Sequence, residues 1–411
     1  MSMNLSRRGL LASAALAGTA LPTVRSWAQA PKLKIGVLTD LSGPYKDLAG
    51  PFAVACAQQA VDEFTAGGHS VGADIISADH QNKPDVGAAI AAQWFDQNGV
   101  DLIVEVANSG VALAVAGVTK AKNKVYINSG AATSDLTGSQ CNANTIHWAY
   151  DTYMLAKSTG GAMVAAGGDS WYFITADYAF GHALQRDTTG FITAAGGKVL
   201  GDASYPFPGT TDFSALLLQA QASGAKVLGL ANAGTDTVNS IKQAKEFGIN
   251  KKMSLAGLLL FISDVHSLGL ETAGGIVLTD SFYWDMNDQT RAFSNRVALR
   301  FPGPRPTMVQ AGVYASVLHY LKVANEMGVA EAKKDGAATV ARLKAMPTED
   351  DCFGKGSIRI DGRAIHPSYL WQVKTPAQSK GPWDYCRLLA TTPTDQAFRP
   401  LAQGGCPLVH T

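Results

Sequence analysis

The chain has 411 residues, 46% of them hydrophobic and 16% charged, with 34 basic against 33 acidic side chains. That length and apolar content suffice for two lobes, each with its own core. No basic stripe or Lys/Arg run occurs, which argues against a nucleic-acid partner.

The first 28 residues read as an export signal rather than part of the fold. Ser6-Arg7-Arg8-Gly9-Leu10-Leu11 has a twin-arginine pattern, and the apolar stretch Leu10 to Leu21 is too short to span a bilayer comfortably. Cleavage is expected after Ala28, because a cut after Ala30 would place Pro31 just beyond it. Removing Arg7, Arg8 and Arg25 leaves 31 basic against 33 acidic residues, a formal charge of −2. The signal contains no cysteine to carry a lipid, and no later segment has the length and apolarity of a membrane span. The mature protein is therefore expected in the periplasm. The cysteines, Cys56, Cys141, Cys352, Cys386 and Cys406, lack metal-type spacing. Cys56, on a predicted buried helix face, is the expected free thiol; Cys352 with Cys386 and Cys141 with Cys406 are the pairings to test first, since spacing does not fix connectivity.

Lys32 to Leu38 predicts a first strand, followed by the Thr39-to-Tyr45 turn and a helix from about Leu48 to Phe64 with Phe52, Cys56, Ala60 and Phe64 on one face. Ala73 to Ala78 and Asp101 to Val106 are the next strands; Pro84 opens the helix between them and Ala107-Asn108-Ser109-Gly110 the helix after them. Strand, loop and helix with short connections predict a parallel sheet with right-handed crossovers. The same grammar returns after Asp151: strands at 171–175, 198–201 and 226–231 alternate with helices at 153–166, 177–195, 213–222 and up to Phe247. Beyond Gly274 come a strand at 276–279, the aromatic cluster Phe282-Tyr283-Trp284, helices at 289–300, 307–327 and 336–345, a hairpin at 354–363 and a closing strand at 369–373. The tail from Pro382 reads as Pro-rich loop.

The stretch Lys124 to Leu136, KVYINSGAATSDL, carries the clearest binding signal. A short apolar strand runs into Asn128-Ser129-Gly130-Ala131-Ala132, a small-residue turn that admits close approach to the backbone. Thr133, Ser134 and Asp135 are good N-caps for a helix expected near Leu136. Unpaired N–H groups and the positive end of a helix dipole suit a carboxylate.

Taken in order, KIGVLTDLSGP, ANSG, INSGAATSDLT, TADYAFG and the hairpin GKGSIRIDGR resemble the type I periplasmic binding proteins of the branched-chain amino-acid transporter class. The resemblance covers nearly all of the mature chain. It implies an α/β fold of two doubly wound parallel-sheet lobes joined by three crossovers, near Trp148, Tyr283 and Asp361, closing on a ligand at the strand ends. The expected division is 31–147 plus 283–360 for the N-terminal lobe and 148–282 plus 361–381 for the C-terminal lobe, with 382–411 as a tail. In the family, the loop matching Ala131, Ala132 and Thr133 holds the ligand carboxylate by backbone N–H and hydroxyl, helped by the turn matching Asn108 and Ser109. The family also places an acid near Leu258-Leu259-Leu260-Phe261 to pair with the ligand ammonium. Here that stretch is apolar, with no carboxylate before Asp264. An unpaired buried ammonium costs several kcal/mol.

Tyr45, Trp148, Tyr150, Tyr178, Phe180, Phe261 and Tyr283-Trp284 supply an aromatic lining instead, and Ala233, Gly234 and Asp236 complete the expected site. The expected function is the extracytoplasmic solute-binding protein of an ABC importer, a monomer without cofactor or metal, partnering membrane permease and ATPase components and capturing a small carboxylate with an aromatic body. Branched-chain amino-acid or amide binding, or a periplasmic ligand sensor, are the alternatives. An enzyme is the least favoured: no G-x-G-x-x-G after the first strand, P-loop, H-E-x-x-H or G-x-S-x-G occurs. His80, His147, His182 and His266 have no triad or metal spacing, and helix capping accounts for Asp79 and Asp177.

Overall fold

The computed structural model describes residues 32–409. The signal expected in residues 1–28 lies outside them. The first lobe begins with β1 (Leu33–Thr39), α1 (Gly50–Ala66), β2 (Ala73–Asp79), α2 (Pro84–Asp96), β3 (Leu102–Glu105), α3 (Ser109–Ala121), β4 (Val125–Asn128) and β5 (Thr145–His147). Its strands pair in parallel in the order β2-β1-β3-β4-β5. Every residue of β3, β4 and β5 is buried, as expected for parallel strands covered on both faces. Pro51 sits in the first turn of α1, where its missing N–H costs nothing, and Phe52, Cys56, Ala60 and Phe64 are all buried.

After the crossover at residues 148–151, a helical segment runs through α4 (Thr152–Leu155), a π-turn at Ala156–Gly160 and α5 (Gly161–Ala165). Then β6 (Ser170–Ala176), α6 (Ala179–Ala194), β7 (Lys198–Tyr205), α7 (Ser214–Ala222), β8 (Val227–Ala231), α8 (Thr235–Glu246) and β9 (Ser254–Gly257) form the second lobe, with parallel strand order β7-β6-β8-β9. Two short helices, α9 (Ile262–Leu268) and α10 (Leu270–Ala273), lead to β10 (Val277–Asp280). The chain then returns to the first lobe with α11 (Asp288–Arg300) and α12 (Met308–Met327), followed by α13 (Val329–Lys334) and α14 (Gly336–Ala345). The capping box of Thr307 and Gln310 starts α12. The same two side chains tie its first turn to the segment before α1, through Thr307 Oγ1 to the Leu48 carbonyl (2.7 Å) and Gln310 Nε2 to the Ala49 carbonyl (3.0 Å).

A small antiparallel sheet of β11 (Thr348–Asp350), β12 (Gly354–Ile358) and β13 (Ala364–Ile365) precedes β14 (Ser368–Val373). Two crossovers run side by side at the hinge: His147 bridges Arg363, and His147 N–H donates to the Gly362 carbonyl at 2.9 Å. The fully buried Arg363 guanidinium donates to the Tyr150 carbonyl (2.8 Å) and lies over the Phe398 ring.

Three expectations need correction. The helix expected near Leu136 is only a single 3₁₀ turn, Ser134–Thr137. The residues that follow, GSQCNAN, offer no apolar repeat to bury, so nothing propagates the turn. The tail from Pro382 is not all loop: β15 (Cys386–Thr392) pairs antiparallel with β14 and extends the second lobe's β10-β14-β15 sheet. A last turn, α15 (Thr394–Ala397), then leads back to the first lobe. Cys141 is bonded to Cys406, one of the two expected pairings, and Cys56 is free. Cys352 and Cys386 are also free; Cys352 packs in the main core around α12, while Cys386 packs in the second lobe, so the fold separates them.

Candidate functional site

The loops after β1, β2 and β3 are tied together by one carboxylate. Asp40 accepts hydrogen bonds from the amides of Ser42 (3.3 Å), Gly43 (2.6 Å) and Tyr45 (2.8 Å) and from Asn82 Nδ2 (2.7 Å). Asn82 Oδ1 in turn accepts from Asn108 Nδ2 at 3.3 Å. This network fixes Tyr45 at the mouth of the cleft. From the other lobe, Tyr178 stands where β6 gives way to α6, and the two tyrosine hydroxyls are hydrogen-bonded to each other. Phe207 stacks on both rings, at 5.2 Å from Tyr45 and 4.5 Å from Tyr178. Gly234 (φ +60°) meets the first lobe directly: a Cβ there would lie 2.4 Å from the Pro44 carbonyl oxygen, so only glycine allows this approach.

Beneath the tyrosines lies a small cavity of about 10 Å³ lined by Tyr45, Leu48, Ala107, Ala132, Tyr150, Tyr178, Phe180, Ala233, Leu259 and Phe261. Tyr45, Ala132, Tyr150, Tyr178, Phe180, Ala233 and Phe261 are among the residues expected from the sequence. Leu48, Ala107 and Leu259 are additions. Tyr150 is edge-on to Phe261 at 6.1 Å, and its hydroxyl donates to the Gly130 carbonyl at 2.6 Å. None of the lining residues is acidic or basic.

The remaining expected residues stand beside the cavity with other attachments. Asn108 caps α3, accepting from the Val111 amide at 3.1 Å. The Ala131 N–H, expected to meet a carboxylate, instead donates to Asn128 Oδ1 at 3.0 Å. Ser109 Oγ accepts from the Thr133 amide (3.2 Å), and Thr133 Oγ1 accepts from the Asp135 amide (3.3 Å). Both hydroxyls therefore keep an O–H to donate. Gly234 and Asp236 belong to the interlobe contact. Asp236 accepts from Tyr205 Oη at 2.8 Å, and burial raises its pKa to about 6. Asp264 is turned inward to the Phe261 amide (2.9 Å). Trp148, Tyr283 and Trp284 also miss the cavity: Trp148 packs on His319, Tyr283 on Trp371, and Trp284 lies under Arg305.

The loop carrying Thr133 is clamped by the second lobe. Ser134 Oγ and Thr152 Oγ1 both donate to Asp187 Oδ2 (2.8 and 2.6 Å), and Arg186 reaches Ser134 Oγ at 3.0 Å. From the tail, Arg399 donates to the Ser134 carbonyl at 2.9 Å.

One acid near the cavity is not signalled by the sequence. Glu105, at the end of β3, is fully buried, and neither carboxylate oxygen has a hydrogen-bond partner among the described residues. In sequence it lies inside the predicted strand at 101–106, among apolar neighbours, and belongs to no motif. The histidines are accounted for structurally: His80 accepts from the Asn82 amide, His147 bonds the Ala131 carbonyl, exposed His182 pairs with Asp177, and His266 stacks on Trp383. Among the described residues no group of three or more His, Cys, Asp or Glu could hold a metal, and no helix is long and apolar enough to cross a membrane.

A two-lobed α/β chain closed over an aromatic interlobe cavity at the strand ends is the architecture of solute-binding proteins. Residues 32–382 match the family model described as periplasmic binding protein, and the chain belongs to that family. It is similar to a periplasmic binding protein of Burkholderia mallei (47% identity, TM-score 0.88, covering 93% of this chain and 99% of that one). It is also similar to a branched chain amino acid ABC transporter periplasmic ligand-binding protein of Burkholderia xenovorans LB400 (38% identity, TM-score 0.79, 92% and 99%). A curated relative, the Leu/Ile/Val-binding protein homolog 4 of Brucella abortus, is 26% identical over 241 residues, 56% of this chain; the match spans only 58% of the relative's length. A solute-binding protein of an R. palustris ABC transporter, solved in complex with benzoate, shares the fold at 18% identity (TM-score 0.79, 92% and 100%).

Proposed function

We propose that the chain is the solute-binding component of an ABC importer, exported to the periplasm, and that it captures a small aromatic carboxylate rather than catalysing a reaction. The observation that carries this reading is the cavity lining: aromatic and aliphatic side chains throughout, with no acid to receive an ammonium. A zwitterionic amino acid would leave that ammonium desolvated and unpaired, at a cost of several kcal/mol. A flat ring instead buries its faces against Tyr150, Tyr178, Phe180 and Phe261, gaining about 25 cal/mol per Å² plus ring contacts. The empty space in this closed form is about 10 Å³, room for a water-sized body, so a ring is taken up as the lobes part and close around it. The carboxylate is assigned to the β3 and β4 ends, where the Ser109 and Thr133 hydroxyls are free to donate and Ala107 and Ala132 bring the backbone to the cavity wall. The benzoate complex of the R. palustris protein supports the ligand class.

The Burkholderia xenovorans and Brucella relatives favour a second reading, a branched-chain amino acid. Calorimetry on mature protein, unfolded and refolded to strip carried ligand, separates the two. Benzoate or cinnamate is expected to bind at least about a hundredfold (~2.7 kcal/mol) more tightly than leucine, isoleucine or valine. Micromolar leucine binding with no response to aromatic acids would overturn the aromatic reading and leave the binding-protein reading standing.

A further inference from the structure

Glu105 is an expensive residue to place where it is. It lies on a parallel strand with 0% exposure, and it and Val106 have left-handed backbones, with φ +79° and +66°. Two consecutive non-glycine residues in that region cost of order 1–3 kcal/mol each, strain that tends to gather at functional sites. The twist delivers the carboxyl to the back of the cavity wall. A Cβ on Gly130 would lie 2.1 Å from Glu105 Oε1 and 2.8 Å from the Ala107 Cα, so Glu105, Ala107 and Gly130 meet at one point. Ala107 faces the cavity, and the Gly130 carbonyl holds the hydroxyl of Tyr150, which also lines it.

The groups that face Glu105 are Thr39 and Asp40 from β1 and its loop, the Val106 and Ala107 amides, Tyr126 from β4 and Tyr150 from the crossover. None of them is a cation. The nearby Thr39 hydroxyl and two amides favour the anion, but none completes a hydrogen bond of good geometry. Asp40, by contrast, accepts four hydrogen bonds. Desolvation is the dominant influence on Glu105 and raises its pKa to about 8, so at neutral pH it is an uncharged acid.

We propose that Glu105 is a specificity-determining residue of the cleft: its carboxyl, buried without a hydrogen-bond partner behind the Ala107–Gly130 wall, acts on an anion held at the strand ends. The inference rests on the anionic-ligand reading above and adds to it a residue that sets the charge the ligand meets.

The test compares full mature chain with Glu105→Gln, and with Glu105→Met in case the buried amide impairs folding, using benzoate as the probe in calorimetry from about pH 6 to about pH 9. Wild-type affinity is expected to fall about tenfold between pH 7 and 9, because ionised Glu105 outnumbers the neutral form about ten to one at the upper end. The folded variants should bind benzoate with an affinity that stays flat over the same range. Equal pH dependence in wild type and variants overturns the proposal, as does loss of benzoate binding in both folded variants at pH 7. If benzoate binds wild type at no pH, the aromatic-acid reading fails, and infrared difference spectra of ligand-free wild type against Glu105→Gln decide about Glu105. A protonated carboxyl band at pH 7 that is lost by about pH 9 supports it, and absence of the band at pH 7 overturns it.

Discussion

The hydroxyls of Tyr45 and Tyr178 are hydrogen-bonded to each other, one from each lobe, with Phe207 stacked on both rings. A bond that joins the lobes exists only in the closed form, so it stabilises closure without stabilising either lobe. Tyr45→Phe and Tyr178→Phe are therefore expected to speed ligand release about two- to tenfold, matching ~0.5–1.5 kcal/mol for one neutral hydrogen bond. The ligand-free melting temperature should stay nearly constant. Stopped-flow dissociation measures the first effect, and an unchanged release rate in both variants would remove the latch.

The tail is a second restraint on the site. From β15 it crosses back to the first lobe, where Cys406 is bonded to Cys141 and Arg399 holds the Ser134 carbonyl. The bond closes a loop with a sequence separation of 265 residues. Cys141→Ser, Cys406→Ser or thiol reductant is expected to lower stability by about 2–5 kcal/mol. Ligand affinity should fall as well, because the Ser134–Thr137 turn loses its outer support. Thermal melts and calorimetry in oxidising and reducing buffer check both, and full retention of affinity after reduction would confine the strap to stability.

Buried acids also give the protein a pH signature. Burial raises Glu105 and Asp280 to about 8 and Asp264 to about 7, above the usual carboxylate range near 4. Between about pH 4 and pH 8 the folded state thus holds more protons than the unfolded chain at these sites, so stability falls as pH rises. Buried His80 and His366, depressed to about 4, act oppositely, raising stability only up to about pH 6.5. Above that the acids dominate. The melting temperature is expected to drop by several degrees from about pH 6.5 to about pH 8.5, and Asp280→Asn should flatten the slope. A melting temperature that rises over this interval contradicts the account.

Strand–loop–helix repetition makes the two lobes legible in the sequence, because parallel strands and their covering helices each carry a strong periodic signal. The aromatic cleft residues Tyr45, Tyr150, Tyr178, Phe180 and Phe261 are legible through their position at strand ends. What fails is local. The caps Thr133, Ser134 and Asp135 are the right chemistry for a helix start, but whether a helix continues is decided by the apolar face beyond, which is missing here. The Ala131 amide cannot be assigned from sequence, because its competitor Asn128 is a side chain that folds back three residues. Cysteine pairing depends on which core each thiol joins, as Cys352 and Cys386 show. Glu105 is hidden for a related reason: a lone acid inside the apolar strand at 101–106 carries no motif, and only the backbone turn at Glu105 and Val106 shows where its carboxyl goes.

The lining of the second lobe offers the sharpest test of ligand class. Leu259 and Phe261 face the cavity, and the nearest acid in that segment, Asp264, is committed to the Phe261 amide. Leu259→Glu places a carboxylate where the lining now has none. Against an aromatic anion the new charge is doubly adverse, through repulsion in a low-dielectric cavity and through loss of apolar contact. Benzoate affinity is expected to fall at least about a hundredfold, or ~2.7 kcal/mol. Leucine, whose ammonium gains a partner, should bind more tightly to the variant than to wild type. Paired calorimetric titrations of both ligands on both proteins supply the measurement, with a thermal melt to confirm folding. If benzoate affinity is unchanged while the variant folds, Leu259 does not meet the ligand, and the assignment of the ring to this end of the cavity is wrong.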